Sequence, residues 1–219
     1  MSTTAPSVRP GVNRRGRSKR IGLAIAFGLW AGVLLFIGST LMAEHWVILP
    51  KPSRDDLVLS RSLAALHHDA RGRFQLTHIL YGECRCSQRI FDYLFSSARP
   101  ADVDDLVILV GGRDDQVRRG RAAGFDVVEV TPDELKERFG IVSAPLLLIA
   151  DAHGQIRYSG GYTGHKQGLD YRDLELVQSL RARAEAEASE LPVYGCGVSE
   201  ELQRALDPIG IKYDSRGPR

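Results

Sequence analysis

No acidic residue occurs among the first twenty positions, where Arg9, Arg14, Arg15, Arg17, Lys19 and Arg20 supply six positive charges. The chain's formal net charge of +2 therefore leaves −4 for everything after that tail. A mildly acidic body excludes nucleic-acid binding by the body, because phosphate contacts need a concentrated basic face. The tail alone has the charge to touch anionic lipid headgroups. Charge of either sign is missing from Ile21 to Ala43, and no internal repeat or low-complexity stretch occurs anywhere. Cysteine is scarce: Cys84, Cys86 and Cys196 are the three in 219 residues, so few that two of them one residue apart speak for a shared role. What is present, 43% hydrophobic and 26% charged residues, is the composition of a folded chain rather than a disordered one.

The uncharged run of residues 21–43 reads as a transmembrane helix. At 1.5 Å per residue it rises about 34 Å, enough to cross a hydrocarbon core of about 30 Å. Six positive charges precede it, and Lys51 and Arg54 are the first to follow. The positive-inside rule then leaves residues 1–20 as a basic cytoplasmic tail and puts the rest on the periplasmic or extracellular side. A cleaved signal peptide is the competing reading, with Leu41-Met42-Ala43 as an imperfect cleavage site after a run that is long for that purpose. Either way the body is exported.

Residues 44–69 read as a linker and a short helix, with Pro50 and Pro52 at the membrane exit and Leu57, Leu59, Leu63 and Leu66 on an irregular apolar face. From residue 70 to 190 strands and helices alternate. Leu76 to Tyr81 is a short apolar strand, Ser87 to Ser97 a helix, and Leu106 to Val110 an aliphatic run suited to a strand buried on both faces. Residues 114–123 suit a polar helix, and Phe125 to Val130 the next strand. Thr131-Pro132-Asp133-Glu134 is a helix start with N-cap, first-turn proline and capping-box glutamate, and Gly140 is its stop. Pro145 opens the strand Leu146 to Ala150, and a turn at Asp151-Ala152-His153-Gly154 leads to Gln155–Ser159. Tyr171 to Glu187 is a last long helix, with Leu174, Val177 and Leu180 inward. Residues 191–219 read as a C-terminal extension with a helix capped by Ser199. This order of elements implies an α/β fold around one sheet.

The first strand runs straight into Cys84, and a helix begins within three residues. A helix N-terminus stabilises a thiolate, the nucleophile of disulfide exchange, and a second thiol nearby can resolve the mixed disulfide. With the segment Phe139-Gly140-Ile141-Val142-Ser143-Ala144-Pro145 and the strand and hairpin after it, residues 76–161 resemble the thioredoxin-like superfamily. The resemblance implies a thioredoxin-like central sheet flanked by helices, preceded here by one transmembrane helix. It also implies that Pro145 is cis and faces the active-site disulfide, and that the backbone of Ala144 pairs with an extended substrate. A trans proline at a strand edge is the plainer alternative. Cys84-Arg85-Cys86-Ser87, Ser159-Gly160-Gly161-Tyr162-Thr163 and Pro192-Val193-Tyr194-Gly195-Cys196 are similar to stretches of a bacterial membrane-anchored group labelled RedB, which implies an inner-membrane location but no substrate.

The motif departs from the usual thioredoxin pattern. It is Cys-x-Cys, and Glu83 stands where an aromatic residue usually precedes the first cysteine. A one-residue spacing implies a tight, more oxidising disulfide. The neighbouring Glu83 charge should raise the Cys84 pKa. Cys84 is expected to attack from the strand end as the more exposed thiol, and Cys86, drawn into the helix and shielded, to resolve. His78 matches the position of a buried acid that exchanges protons with the resolving cysteine in thioredoxins, and it is equally compatible with plain packing. Cys196 is left open between resolving a disulfide, bonding another chain, and remaining a thiol. The reading is a thiol–disulfide oxidoreductase acting without a cofactor on protein thiols or disulfides. Its rivals are a copper-binding assembly factor using Cys84, Cys86 and His165 (or His153), and a redox-inert membrane module.

Overall fold

The computed structural model describes residues 14–45, 47–67, 72–182, 190–208, 210 and 213. The chain divides into two compact units, Met1–Trp46 and Val47–Arg219. The first holds one helix, α1 (Arg14–His45), whose Gly22–Ser39 stretch has a mean hydropathy of 2.0. By length and composition it is able to cross a membrane.

The second unit runs α2 (Leu57–Ala64), β1 (Phe74–Tyr81), α3 (Arg85–Ser96), β2 (Val103–Val110), α4 (Asp114–Ala122), β3 (Asp126–Val130), α5 (Pro132–Phe139), β4 (Ser143–Ala144), β5 (Leu146–Ala150), β6 (Ile156–Gly160), α6 (Asp173–Ala182), β7 (Cys196–Gly197) and α7 (Glu200–Leu206). Five strands form one sheet in the order β3-β2-β1-β5-β6. The first three are parallel, while β5 runs antiparallel to β1 and β6 antiparallel to β5. The aliphatic run Leu106–Val110 lies in β2, between two neighbours and fully buried, as a continuous apolar strand requires.

Local signals set the helix ends. Asp56 caps α2 by accepting from Val58 N and Leu59 N at 2.9 and 3.1 Å. Thr131 and Glu134 exchange both capping-box hydrogen bonds at the start of α5, and Gly140 ends that helix at φ 66°. α3 starts at Arg85, two residues before the expected Ser87, which places Cys86 in its first turn. In α6 the inward residues are Leu176, Val177 and Leu180, with Leu174 only half-buried; residues 183–187 of the expected helix lie outside the described residues.

Alternation along β1 splits the core between the two faces of the sheet. Ile79 and Tyr81 pack with Leu135, Phe139, Leu59 and Leu63 on one face. Leu76 and Leu80 pack with Ile90, Phe91, Leu94 and Val177 on the other. The compact unit is wider than residues 70–190. Leu59 and Leu63 of α2 are buried, and so are Leu49, Val193 and Val198. Leu49 N donates to Val193 O at 2.9 Å, so the segment before α2 and the segment after residue 190 are tied to each other as well as to the core.

Candidate functional site

The chain leaves β1 through Gly82, where a Cβ would stand 2.5 Å from Gly111 O. Only glycine fits there. Gly82 O accepts from Gln88 and Gln116 side chains at 2.7 and 3.1 Å, and Tyr81 N donates to Ser87 Oγ at 3.0 Å. These bonds lock the strand-to-helix turn, so that Cys84 becomes the extended N-cap residue of α3 with its amide on Tyr81 O at 3.0 Å.

Cys84 is fully buried, at 0% exposure, and its sulfur lies 2.7 Å from the sulfur of Cys196. That is far inside the separation of two sulfurs that merely touch, and somewhat longer than a disulfide bond of about 2.05 Å. The Cys84 pKa is driven well below that of an ordinary thiol. The Cys196 thiol is the main cause and the Cys86 thiol the next; burial opposes them, and the N–H groups of Ser87 and Cys86 at the helix start add to the lowering. No full capping hydrogen bond reaches the sulfur. The expected rise from Glu83 does not govern this thiol: the neighbouring thiols, burial and the helix-start N–H groups set its shift.

The exposure of the two motif cysteines is the reverse of the sequence expectation. Cys84 is enclosed and Cys86 is half-exposed, lining an open cavity with Ile90, Pro145, Tyr162, Thr163 and Tyr194. The reason is non-local: the cover over Cys84 comes from the segment around Cys196.

The Ala144–Pro145 peptide bond is cis. Ala144 is buried and already paired, because β4 and β7 form a two-stranded antiparallel ladder with Ala144 opposite Cys196 and Ser143 opposite Gly197. An extended substrate can pair with Ala144 only by taking the place of β7. The ladder is held in register on both sides. Val198 N donates to Val142 O at 2.8 Å, Gly161 N donates to Leu191 O at 3.0 Å, and Gln203 Nε2 donates to Gly197 O at 3.0 Å. Three glycines permit the approach. A Cβ on Gly195 would stand 2.1 Å from Ala144 O, one on Gly161 2.0 Å from Pro192 O, and one on Gly160 2.7 Å from Leu191 O. The Gly160-Gly161 and Tyr194-Gly195-Cys196 stretches are thus two sides of one packing arrangement, a relation that no local pattern in the sequence displays.

His78 is wholly buried, on the face of β1 opposite Ile79 and Tyr81. Both of its ring nitrogens are engaged: Nε2 lies 2.9 Å from Asp105 Oδ1 and Nδ1 lies 2.8 Å from the Tyr162 hydroxyl. No hydrogen bond joins it to a cysteine among the described residues; its connection to the cavity runs through Tyr162, which the sequence reading did not single out as a site residue. Behind Asp105, Arg99 donates to both oxygens of that carboxylate and, at 2.6 Å, to Asp173, which also accepts from Tyr93. Burial pushes the Asp105 carboxyl up, but hydrogen bonds from His78 and Arg99 outweigh it and hold the pKa at about 2. Burial also raises the Tyr162 phenol well above its ordinary range, so it stays protonated.

His165 lies exposed beside Asp170, 3.8 Å away, and is not among the residues lining the cavity at Cys86. His153 sits in the β5–β6 turn. Among the described residues no group of three or more His, Cys, Asp or Glu is arranged to hold a metal ion.

The sheet order, the cysteine at the start of the helix after β1 and the cis proline before β5 make this a thioredoxin-like α/β fold. No family model matches the chain, and no curated protein matches it. Solved structures similar to it include a hypothetical protein from Sinorhizobium meliloti, at 15% identity and TM-score 0.47, covering 61% of this chain and 82% of that one. An uncharacterized conserved protein from Geobacillus kaustophilus has 12% identity and TM-score 0.48 over 60% of this chain and 80% of its own. The thioredoxin domain of a thiol-disulfide oxidoreductase from Bacteroides vulgatus has 15% identity and TM-score 0.32, over 41% and 70%.

Proposed function

We propose that this chain is a membrane-anchored thiol–disulfide oxidoreductase that works on the non-cytoplasmic face of a bacterial inner membrane through Cys84 and Cys86. One observation carries the reading: the Cys84 sulfur is at once buried, at a helix start, and in contact with the thiols of both other cysteines. Such a sulfur is a stabilised thiolate with partners in place for exchange. Cys86 is the motif thiol that meets solvent, and the cavity it shares with Pro145 is where a protein thiol or disulfide would approach. His78 supplies proton exchange through Tyr162. Electrons pass between sulfurs, so the reaction calls for no cofactor. The six basic residues before an uncharged helix support residues 21–43 as a lipid-embedded anchor with the body outside, and the RedB resemblance supports the same compartment. An oxidising compartment is also where a disulfide persists.

The test is thiol counting. The full chain in mild detergent is equilibrated with oxidised glutathione, unfolded in acidic urea and then alkylated, so that burial alone protects no thiol. Two of its three cysteines should be protected, and Cys84→Ser should leave both remaining cysteines open to alkylation and end the turnover of a model protein disulfide. Three alkylatable thiols after oxidation would sink the reading.

A further inference from the structure

Resting on the oxidoreductase reading, we infer that Cys196 is a third redox cysteine: the oxidised protein carries a Cys84–Cys196 disulfide, and Cys86 is the thiol offered to partners. Four observations converge on this pairing. The two sulfurs are 2.7 Å apart although the residues are separated by 112 positions. Both are buried, at 0% and 8% exposure, so neither meets a partner protein directly. The β4–β7 ladder fixes the backbone of Cys196 opposite Ala144, and Gly195 lies too close to Ala144 and Pro145 for any side chain. Cys86, by contrast, opens on the cavity.

The exchange runs in three displacements. The Cys86 thiolate attacks a partner disulfide R–S–S–R′, forming Cys86–S–S–R and releasing R′–S⁻, which takes up a proton. The Cys84 thiolate then attacks the Cys86 sulfur and expels R–S⁻, likewise protonated, leaving Cys84–S–S–Cys86. The Cys196 thiolate attacks the Cys84 sulfur and Cys86 departs as a thiolate. The partner has gained two electrons and two protons, Cys84 and Cys196 have lost them, and Cys86 is regenerated. The same steps in reverse pass a disulfide outward. Cys196, on a strand of the same domain, does the work that a second motif cysteine does alone in a two-cysteine site.

Trypsin makes the pairing readable, because cleavage at Arg73, Arg85, Arg89, Arg183 and Arg204 puts each cysteine in its own peptide: 74–85, 86–89 and 184–204. The full chain in detergent is oxidised with glutathione disulfide, alkylated, digested without reductant and analysed by mass spectrometry. The expected product is 74–85 linked to 184–204, with Cys86 alkylated. A link between 74–85 and 86–89 with Cys196 alkylated overturns this inference while leaving the oxidoreductase reading intact; no link at all overturns both. As a control that leaves Cys84 and Cys196 in place, Cys86→Ser should reach the same linked product at least ten-fold more slowly, since the two buried sulfurs lose their exposed relay. An unchanged rate, or loss of the link at equilibrium, overturns the scheme.

Discussion

The hydroxyl of Tyr162 lies 2.8 Å from the buried His78 Nδ1, and the same residue lines the cavity that holds Cys86. The Asp105 carboxylate accepts from Nε2, which leaves Nδ1 of a neutral His78 as the acceptor of the Tyr162 O–H. A proton arriving at Nδ1 would turn that bond around. If His78 exchanges protons with the cysteine site, Tyr162 is the residue that links the two. His78→Asn and Tyr162→Phe should alter the pH profile of Cys86 exchange in the same direction and to a similar extent, as followed by stopped-flow alkylation. If Tyr162→Phe leaves the profile of the native protein unchanged, His78 is a packing residue.

Gly195 offers a way to lift the cover from Cys84. A methyl group there would stand 2.1 Å from Ala144 O and 2.4 Å from Pro145 Cδ, so β7 must move. Backbone displacement of this kind costs about 1–3 kcal/mol. In Gly195→Ala the alkylation of Cys84 should speed up more than ten-fold, while Cys86, already open to solvent, changes little. Equal protection of Cys84 in the variant and the native protein would show that the cover does not depend on this contact.

Those glycines also mark where the sequence stops being legible. The strands and α5 are written locally, in aliphatic runs, in the Thr131–Glu134 capping box and at Gly140, and the structure places them within a few residues of expectation. Cys84 at a helix start is equally local. The cover over Cys84 is not. Leu191-Pro192-Val193-Tyr194 has no periodicity of its own, and its position is fixed by Leu49, Gly160, Gly161 and Ala144, all far away in the chain. Without that contact a reader assigns exposure from the motif alone and obtains the two cysteines in the wrong order. Gly160-Gly161 and Gly195 were visible as motifs, but their shared reason is steric and appears only when the two segments meet.

The Asp105 network gives a pH signature. Its carboxyl is held at about 2 in the folded protein, against about 3.9 when unfolded. A depressed carboxylate contributes stability that is fully present above the unfolded value and is lost as pH falls toward the folded one. The window is therefore about pH 4 down to pH 2, and the size on the order of 2–3 kcal/mol. Urea unfolding followed by circular dichroism should show the native protein losing stability across that window. Asp105→Asn should be less stable at pH 5 and show a flatter acid limb. A slope identical to that of the native protein would remove Asp105 from the account.

The topology is checked from outside. A membrane-impermeant protease added to intact spheroplasts should digest the unit after residue 47 and leave the tail protected. The body should stay with the membrane fraction after a high-salt wash, because an anchor of 23 uncharged residues is held by hydrophobic transfer rather than by charge. Full protection of the body contradicts the orientation, and a soluble mature form beginning near Glu44 contradicts the anchor.

Heat gives an independent reading of the Cys84–Cys196 pair. A disulfide restricts the unfolded chain in proportion to the logarithm of the loop it closes. A loop of some 112 residues corresponds to about 4–5 kcal/mol, whereas one closed across a single residue removes far less entropy. For a domain of this size each kcal/mol moves the melting midpoint by roughly 2–4 °C. The oxidised native protein should accordingly melt about 10 °C or more above the reduced one. Cys86→Ser should keep that gap, because its long-range pair is intact, and Cys196→Ser should close it even if Cys84 and Cys86 still bond to each other. The comparison is made within each variant between oxidised and reduced samples, so a general loss of stability from the substitution cancels. A gap that survives Cys196→Ser, or is absent from the native protein, assigns the disulfide elsewhere.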